Sequence, residues 1–545
     1  MAIVLRSNAV VILVIFCCVL HPIYSLLRNY VLARRAGLCI IVSPVTPYTF
    51  QWQLLASRLR PTLEYFQWFR AIDWTCAWHD ENKLHQELGL SFIVVSPGLN
   101  VLCTSDPKTI EHVLKKWRDF VKPDNVNELL GTFGQNVDTS NGDDWTRHRK
   151  LTAPCFAERA SSTVWTHALQ QSKSLIAQWL SLSSDFTNTM INDTSTLALN
   201  VISAVAFENH QVNKPTDGHT LSLREALVTV MSTSISPALE GIMSWLNISG
   251  FRLLFPAKVK QLLLAMSEFR QYMDETVSRE RAKPTQCEDG RLNLIGTLIK
   301  ANKADGDEKS RLSDIELRGN IFIFTAGGLE STSITLSYAL ALLALHPQIQ
   351  DWVAEEVGQV FSSESADYAK TFPKLKRVMA VMYETLRLFG PSPPLPRSSS
   401  TPNTPYILPI STSSSSSINL PGSTQIMLNS WACHASASHF TSPKSFNPKR
   451  WITHTQEEET LHYPSLSSAF FAWGSGPRIC PGMKFSQVEF CAVLGSVLKS
   501  IRVDLVRDTV QGRERMWGVL RDSVAEPLLL HVRRGEEVRL RTVPR

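Results

Sequence analysis

The sequence predicts a mainly α-helical chain with a small β-rich portion, set behind an N-terminal membrane anchor. Three observations carry this. Ala9–Leu27 contains no Asp, Glu, Lys or Arg. Helical periodicity then dominates to about residue 390 and includes Ser313–Leu345, a run with no proline before Pro347. Beyond that point the composition shifts to proline, serine and short β-prone segments. At 545 residues, 44% of them hydrophobic, the chain has ample material for a large core.

The stretch AVVILVIFCCVLHPIYSLL is just long enough to cross a bilayer, which takes about 20 apolar residues. His21 and Pro22 weaken its second half, so a cleaved secretory signal is the competing reading. No clear small-x-small cleavage site follows. Arg28, Arg34 and Arg35 do, which favours a retained single-pass anchor with the rest of the chain on the cytosolic side. Residues 1–35 read as anchor and basic stop segment, and residues 36–545 as one domain. On that topology the sequons at Asn192 and Asn247 stay unmodified. A proline-containing connector, Ser43–Phe50, comes next.

Asp106–Phe120 places Ile110, Val113, Leu114 and Trp117 at helical spacing behind an Asp-Pro start. Leu223–Trp245 and Pro256–Arg281 behave similarly, and Leu375–Phe389 is a further amphipathic helix. Short strands fit Tyr406–Ile410 and Gln425–Leu428, with the serine run Ser411–Ser417 as an exposed loop between them. Lys484–Ile501 is the final helix.

The formal net charge of +6 is too small to imply nucleic acid, and no Lys/Arg tract is interleaved with aromatics. The ten cysteines form no CxxC pair, which reads as a reducing compartment rather than a disulfide scaffold or zinc site. A functional cysteine here works alone. No Gly-x-Gly-x-x-Gly follows a strand, so the chain lacks a dinucleotide-binding fingerprint of its own.

Four motifs carry chemistry. In FFAWGSGPRICPG, Phe470–Gly482, the glycines Gly474, Gly476 and Gly482 allow tight turns and a close approach to a flat ligand. Cys480 lies just ahead of a helix, whose N-terminal dipole and amides favour a thiolate. Taken alone, a small buried cysteine in a glycine-rich turn is the other reading. In YETLR, Glu384 and Arg387 share a helix face, and Arg450 of the FNPKRW run is placed to complete a charge network. An exposed surface pair is the alternative.

GGLEST, Gly327–Thr332, sets two glycines inside the longest helix at a cost of roughly 1 kcal/mol each. That opens space beside Glu330, Ser331 and Thr332, an acid and alcohols suited to proton relay. Close packing of two helices through small residues would also explain it. In GDDWTRHRK, Trp145 and Arg149 share a face and together suit a carboxylate, unless this is simply a basic amphipathic helix. His148 has no partner pattern and reads as a surface residue.

Four such motifs in this order and spacing resemble the cytochrome P450 superfamily over essentially the whole chain after the anchor, and GPRICPG with KFSQVEF looks most like its membrane-bound fungal members. The resemblance implies the P450 fold, with haem b (iron protoporphyrin IX) between the long central helix and the cysteine loop. It makes Cys480 the axial ligand of the haem iron, and Trp145, Arg149, Arg397 and Arg478 its propionate-binding set. Trp473 and the three glycines line the same group, Glu330 and Ser331 fall on the acid–alcohol pair, and Glu384, Arg387 and Arg450 form the structural charge network.

Residues 36–545 would then be the haem-thiolate catalytic domain. Its partners would be dioxygen, a lipophilic small molecule, the bilayer of the endoplasmic reticulum and NADPH–cytochrome P450 reductase, with no nucleic acid. The implied role is oxidation of a secondary metabolite. Lys115, Lys116, Arg147, Lys150 and Lys484 are candidates for a basic face that docks the reductase. Two further readings keep the haem: an isomerase or dehydratase that does not use dioxygen, and a non-catalytic haem-binding sensor.

Three features depart from the family pattern. Trp473 stands where Phe is usual, Ser331 where Thr is usual, and the serine-rich insertion at 411–417 is long.

Overall fold

Local signals in the sequence fix where most elements begin and end. In the computed structural model the described residues are 20–124, 130–181, 186–207, 214–231, 257–283, 293–304, 310–361, 367–411, 416–454, 459–462, 469–525 and 529–545. The first half of the expected anchor, Asn247, and most of the serine run lie outside them. The chain divides into two compact units. One comprises the chain up to Val126 with Pro393–Pro443 and Leu466–Arg478; the other comprises Asn127–Ser392, Lys444–Ser465 and Ile479–Arg545.

The first unit is built on a six-stranded sheet: β1 (Ile40–Val42), β2 (Ser91–Val95), β3 (Asn100–Thr104), β4 (Phe120–Val121), β5 (Leu395–Ser399) and β8 (Gln425–Leu428), in the order β1-β2-β3-β8-β5-β4. The pairs β1–β2 and β3–β8 are parallel and the others antiparallel, with Val101 opposite Gln425 and Leu395 opposite Leu428. A separate hairpin joins β6 (Tyr406–Pro409) to β7 (Ser417–Leu420), its first strand near the predicted position. The strands β2 and β3 interrupt the mostly helical pattern expected up to about residue 390. They are buried throughout, and Phe92, Val94, Val101 and Cys103 pack with Tyr48, Trp52 and Phe69.

The expected span to Leu27 does not end at its first arginine. Its last residues belong to a helix, His21–Arg34. Asn29 of that helix donates to the Ser96 carbonyl at 2.9 Å and accepts from Asn100 Nδ2 at 3.0 Å through its own carbonyl. The helix is thereby tied to the β2–β3 turn. Among the described residues, Met190–Phe207 and Asp314–Leu345 are long and apolar enough to cross a membrane, and both are mostly buried inside the protein.

The second unit is a helical bundle around the helix Asp314–Leu345. Ser313 caps it, accepting the Glu316 N–H while the Glu316 side chain accepts the Ser313 N–H. Met190–Phe207 packs along this helix, and Glu158–Leu180 packs along Met483–Ser500. One contact is as close as two backbones allow. A Cβ on Gly319 would lie 2.4 Å from the Gly134 carbonyl oxygen, so the 130–139 segment rests directly on the long helix.

Candidate active site

In the cysteine segment, the turn needs two of its three glycines. Gly474 (φ +74°) and Gly476 (φ +68°) occupy the left-handed region, and a Cβ on Gly476 would lie 2.6 Å from the Leu114 carbonyl oxygen. The turn makes no such demand of Gly482. Its φ of −82° suits any residue, and a Cβ there would make only ordinary contact with Cys480 Sγ at 3.9 Å. Gly482 is the N-cap of Met483–Ser500, and the Met483 N–H reaches the Cys480 carbonyl at 3.3 Å. Cys480 is exposed, unlike Cys76, Cys103, Cys155, Cys433 and Cys491, and sits one turn before that helix.

The first unit carries Arg397, Trp473, Gly474, Gly476 and Arg478. Arg397 is buried on β5 with Nη1 on the Pro396 carbonyl at 2.7 Å, and Arg478 ends the short 3-10 turn Gly476–Arg478. The second unit carries Trp145, Arg149, Glu330, Ser331, Thr332, Glu384, Arg387, Arg450 and Cys480.

Within the second unit the helix Gly142–Thr152 holds Trp145 buried and Arg149 half-buried. Burial pushes the Arg149 guanidinium below its ordinary range, and attraction to Cys480 opposes that shift. The Arg149 guanidinium makes no hydrogen bond or ion pair with another described residue. A half-buried guanidinium with no described carboxylate partner fits an anionic group.

The Asp314–Leu345 helix is buried along most of its length but accessible at Gly327, Gly328, Glu330 and Ser331. A Cβ on Gly327 would meet nothing within 4 Å, whereas one on Gly328 would meet Ile202 at 3.2 Å. The two glycines therefore differ: Gly328 serves helix packing and Gly327 keeps the helix wall open. The open wall at Gly327 leaves room beside the helix for a bound group.

Burial alone pushes the Glu330 carboxyl up to about 7. The Ser331 hydroxyl donates to the Gly327 carbonyl at 2.6 Å, which leaves its oxygen lone pairs open. Thr332 differs from the expectation of a relay alcohol. It is 2% exposed, and its Oγ1 has no partner among the described residues. Successive helical side chains point about 100° apart, so Ser331 and Thr332 face different surroundings.

The charge network is assembled as expected and is buried rather than a surface pair. Glu384 is fully buried and accepts from Arg387 Nε and Nη2 (3.0 and 2.8 Å), Arg450 Nε (3.1 Å), Trp451 Nε1 (3.0 Å) and the Asn447 N–H (2.9 Å). Arg387 also reaches the Ser445 carbonyl at 3.1 Å.

Two expectations on the Gly142–Thr152 helix are corrected. His148 is not at the surface; it is fully buried, with Nε2 3.3 Å from Glu316 and Nδ1 2.9 Å from Asn320 Nδ2. Arg147 is not a free docking cation, since it pairs with Asp144 and Glu316 and donates to the Arg311 carbonyl. Sequence reasoning also missed Asn320, which accepts the Val137 N–H at 3.0 Å. It missed His434 too, a buried residue behind the cysteine segment. A histidine following an Asn-initiated helical turn was the available signal.

The family model described as Cytochrome P450 matches residues 60–525. The chain is 28% identical to the phomenoic acid biosynthesis cluster cytochrome P450 monooxygenase of Leptosphaeria maculans, over 93% of this chain and 94% of that protein. It is 26% identical to a cytochrome P450 monooxygenase of Arthrobotrys oligospora, over 97% and 96%. A third such monooxygenase, from Penicillium roqueforti, is 27% identical over 87% of each chain.

Proposed function

The chain belongs to the cytochrome P450 superfamily and is a haem-dependent monooxygenase, and from that premise we propose a role for each part of the site. Cys480 would hold the iron of a haem b through its sulfur. When bound, a thiolate-ligated haem supplies dioxygen activation, the electron-rich sulfur favouring O–O cleavage. The observation that carries this assignment is Arg149, a half-buried guanidinium with no described carboxylate partner that feels the Cys480 sulfur. Within the second unit, Arg149 and Trp145 would hold a propionate. The dipole of Met483–Ser500 favours the anionic form of Cys480.

Glu330, with its carboxyl pushed up to about 7, holds a transferable proton at neutral pH. Ser331 Oγ, its own hydrogen directed to Gly327, accepts a hydrogen bond from a water or from that acid. The buried network on Glu384 fixes the Lys376–Leu388 helix against the 445–451 segment.

Electrons would come from NADPH–cytochrome P450 reductase at the endoplasmic reticulum, with the first residues as anchor. Lys115 pairs with Glu111, and Lys116, Lys150 and Lys484 remain as docking candidates. The substrate would be a lipophilic secondary metabolite, a reading supported by the name of the Leptosphaeria maculans relative. The carbon monoxide difference spectrum of the reduced protein tests the ligand assignment. Wild type should show the red-shifted thiolate Soret band and Cys480→Ala should not; a wild type without that band refutes it. Product formation without NADPH and reductase would favour the isomerase or dehydratase reading instead.

A further inference from the structure

We propose that His434 is the positioning residue for the turn that leads into Cys480. The proposal rests on the reading of Cys480 as haem ligand. His434 closes a five-residue helix, Ser430–His434, and is 2% exposed. Its Nε2 accepts the Phe471 N–H at 2.9 Å. An acceptor nitrogen keeps its lone pair, which places the ring proton on Nδ1.

The neighbouring Cys433 Sγ donates to the Ala469 carbonyl at 3.4 Å. Two consecutive side chains thus catch two backbone groups of the strand-free segment Ala469–Phe471. The same imidazole stacks on Phe470 at 5.1 Å and 20°, and Phe470 meets Trp473 edge-on at 6.2 Å. The Gly474 N–H closes the turn on the Phe471 carbonyl at 2.9 Å, and Gly476 then abuts the Leu114 carbonyl. His434 therefore sets the height of the turn through Phe471 and the plane of Trp473 through Phe470.

The imidazole is itself fixed to the sheet. The Asn429 N–H donates to the Thr104 carbonyl at 2.8 Å, at the end of β3, and its side chain caps Ala432 at 3.1 Å. Asn429 Nδ2 is 3.2 Å from His85 Nε2, and burial holds His85 down at about 4. His85 is neutral at physiological pH and serves as a steady acceptor for Asn429. The line of contacts runs from β3 through Asn429 and His434 to the turn, six residues before Cys480 in the chain at Gly474. What it positions is the protein's side of the thiolate, and outer partners of a metal ligand set its orientation and donor strength.

The test compares haem-loaded wild type, His434→Phe, His434→Gln and Val101→Ala. Phe keeps the stack on Phe470 and removes the acceptor, Gln retains an acceptor oxygen, and Val101→Ala loosens the sheet core without touching the turn. Haem transfer to excess apomyoglobin and the reduced carbon monoxide spectrum are the readouts. His434→Phe should lose haem roughly tenfold faster and shift part of the spectrum out of the red-shifted band, while His434→Gln and Val101→Ala stay close to wild type. If His434→Phe matches Val101→Ala in both readouts, or Gln behaves like Phe, the positioning role is refuted. A wild type lacking the band would instead refute the ligand assignment, and this proposal with it.

Discussion

Replacing Glu330 with Gln should stabilise the protein, and only at the pH where the site is used. The carboxyl titrates at about 7 in the folded chain against 4.5 ordinarily, with burial as the cause. Below pH 4.5 it is protonated in both states and contributes nothing. As pH rises from there the unfolded chain releases its proton first, so folding stability falls until the folded pKa is passed. A difference of about 2.5 units at 1.36 kcal/mol each caps the penalty at about 3 kcal/mol. Gln keeps the shape and does not titrate.

The gain of Glu330→Gln over wild type should therefore be near zero at about pH 4.5 and approach ~3 kcal/mol at about pH 8. Urea unfolding of the haem-loaded proteins, followed by circular dichroism across that range, measures it. A gain that is constant with pH would refute the argument, because it would assign the effect to shape or packing instead of the buried charge. The same variant should turn over roughly 10²-fold more slowly, since its side chain holds no transferable proton.

Glu384→Ala should cost about 3–5 kcal/mol in the same assay, because it strands the fully buried Arg387 without its carboxylate. Loss of less than ~1 kcal/mol would mean that the network is solvated. Gly319→Ala and Gly327→Ala, eight positions apart on one helix, should differ in sign. The first drives a Cβ into the Gly134 carbonyl and should destabilise by ~1–3 kcal/mol, whereas the second meets open space and should gain up to about 1 kcal/mol in helix propensity. Gly327→Ala should also weaken substrate binding, read from a spectral titration, because it narrows the wall kept open beside Glu330.

Helix positions were legible where the signal is local. Asp106 before Pro107 and Ser313 before Glu316 each mark a start, and the structure caps both helices with those side chains. Gly474 and Gly476 were legible because positive φ is a backbone demand. Gly482 makes no such demand, and spacing cannot distinguish a glycine the turn requires from one it does not. Strands β2 and β3 were missed because an apolar run buried on both faces has no alternation to detect. His148 was misread for another reason: its partners Glu316 and Asn320 lie on a helix more than 160 positions away. Periodicity assigns a face to a residue and is silent on what covers that face.

Ser331 shows how a substitution that looks weakening in the sequence acquires a compensation in the fold. Threonine at this position would use its methyl group to restrict χ1, and serine gives that restriction up. Here the hydroxyl donates to the Gly327 carbonyl at 2.6 Å, so a hydrogen bond restricts the rotamer in place of the methyl. The Ser331 carbonyl is held in turn by Thr335 Oγ1 at 2.7 Å, which braces the backbone on the following turn. With its hydrogen committed, the hydroxyl is oriented to accept, which is the polarity needed beside an acid that still carries its proton. Thr332 cannot take over, because it is buried on a different face. On the proposed function, the acid–alcohol pair would be Glu330 as proton holder and Ser331 as fixed acceptor, with Gly327 both freeing the wall and supplying the carbonyl that orients the serine.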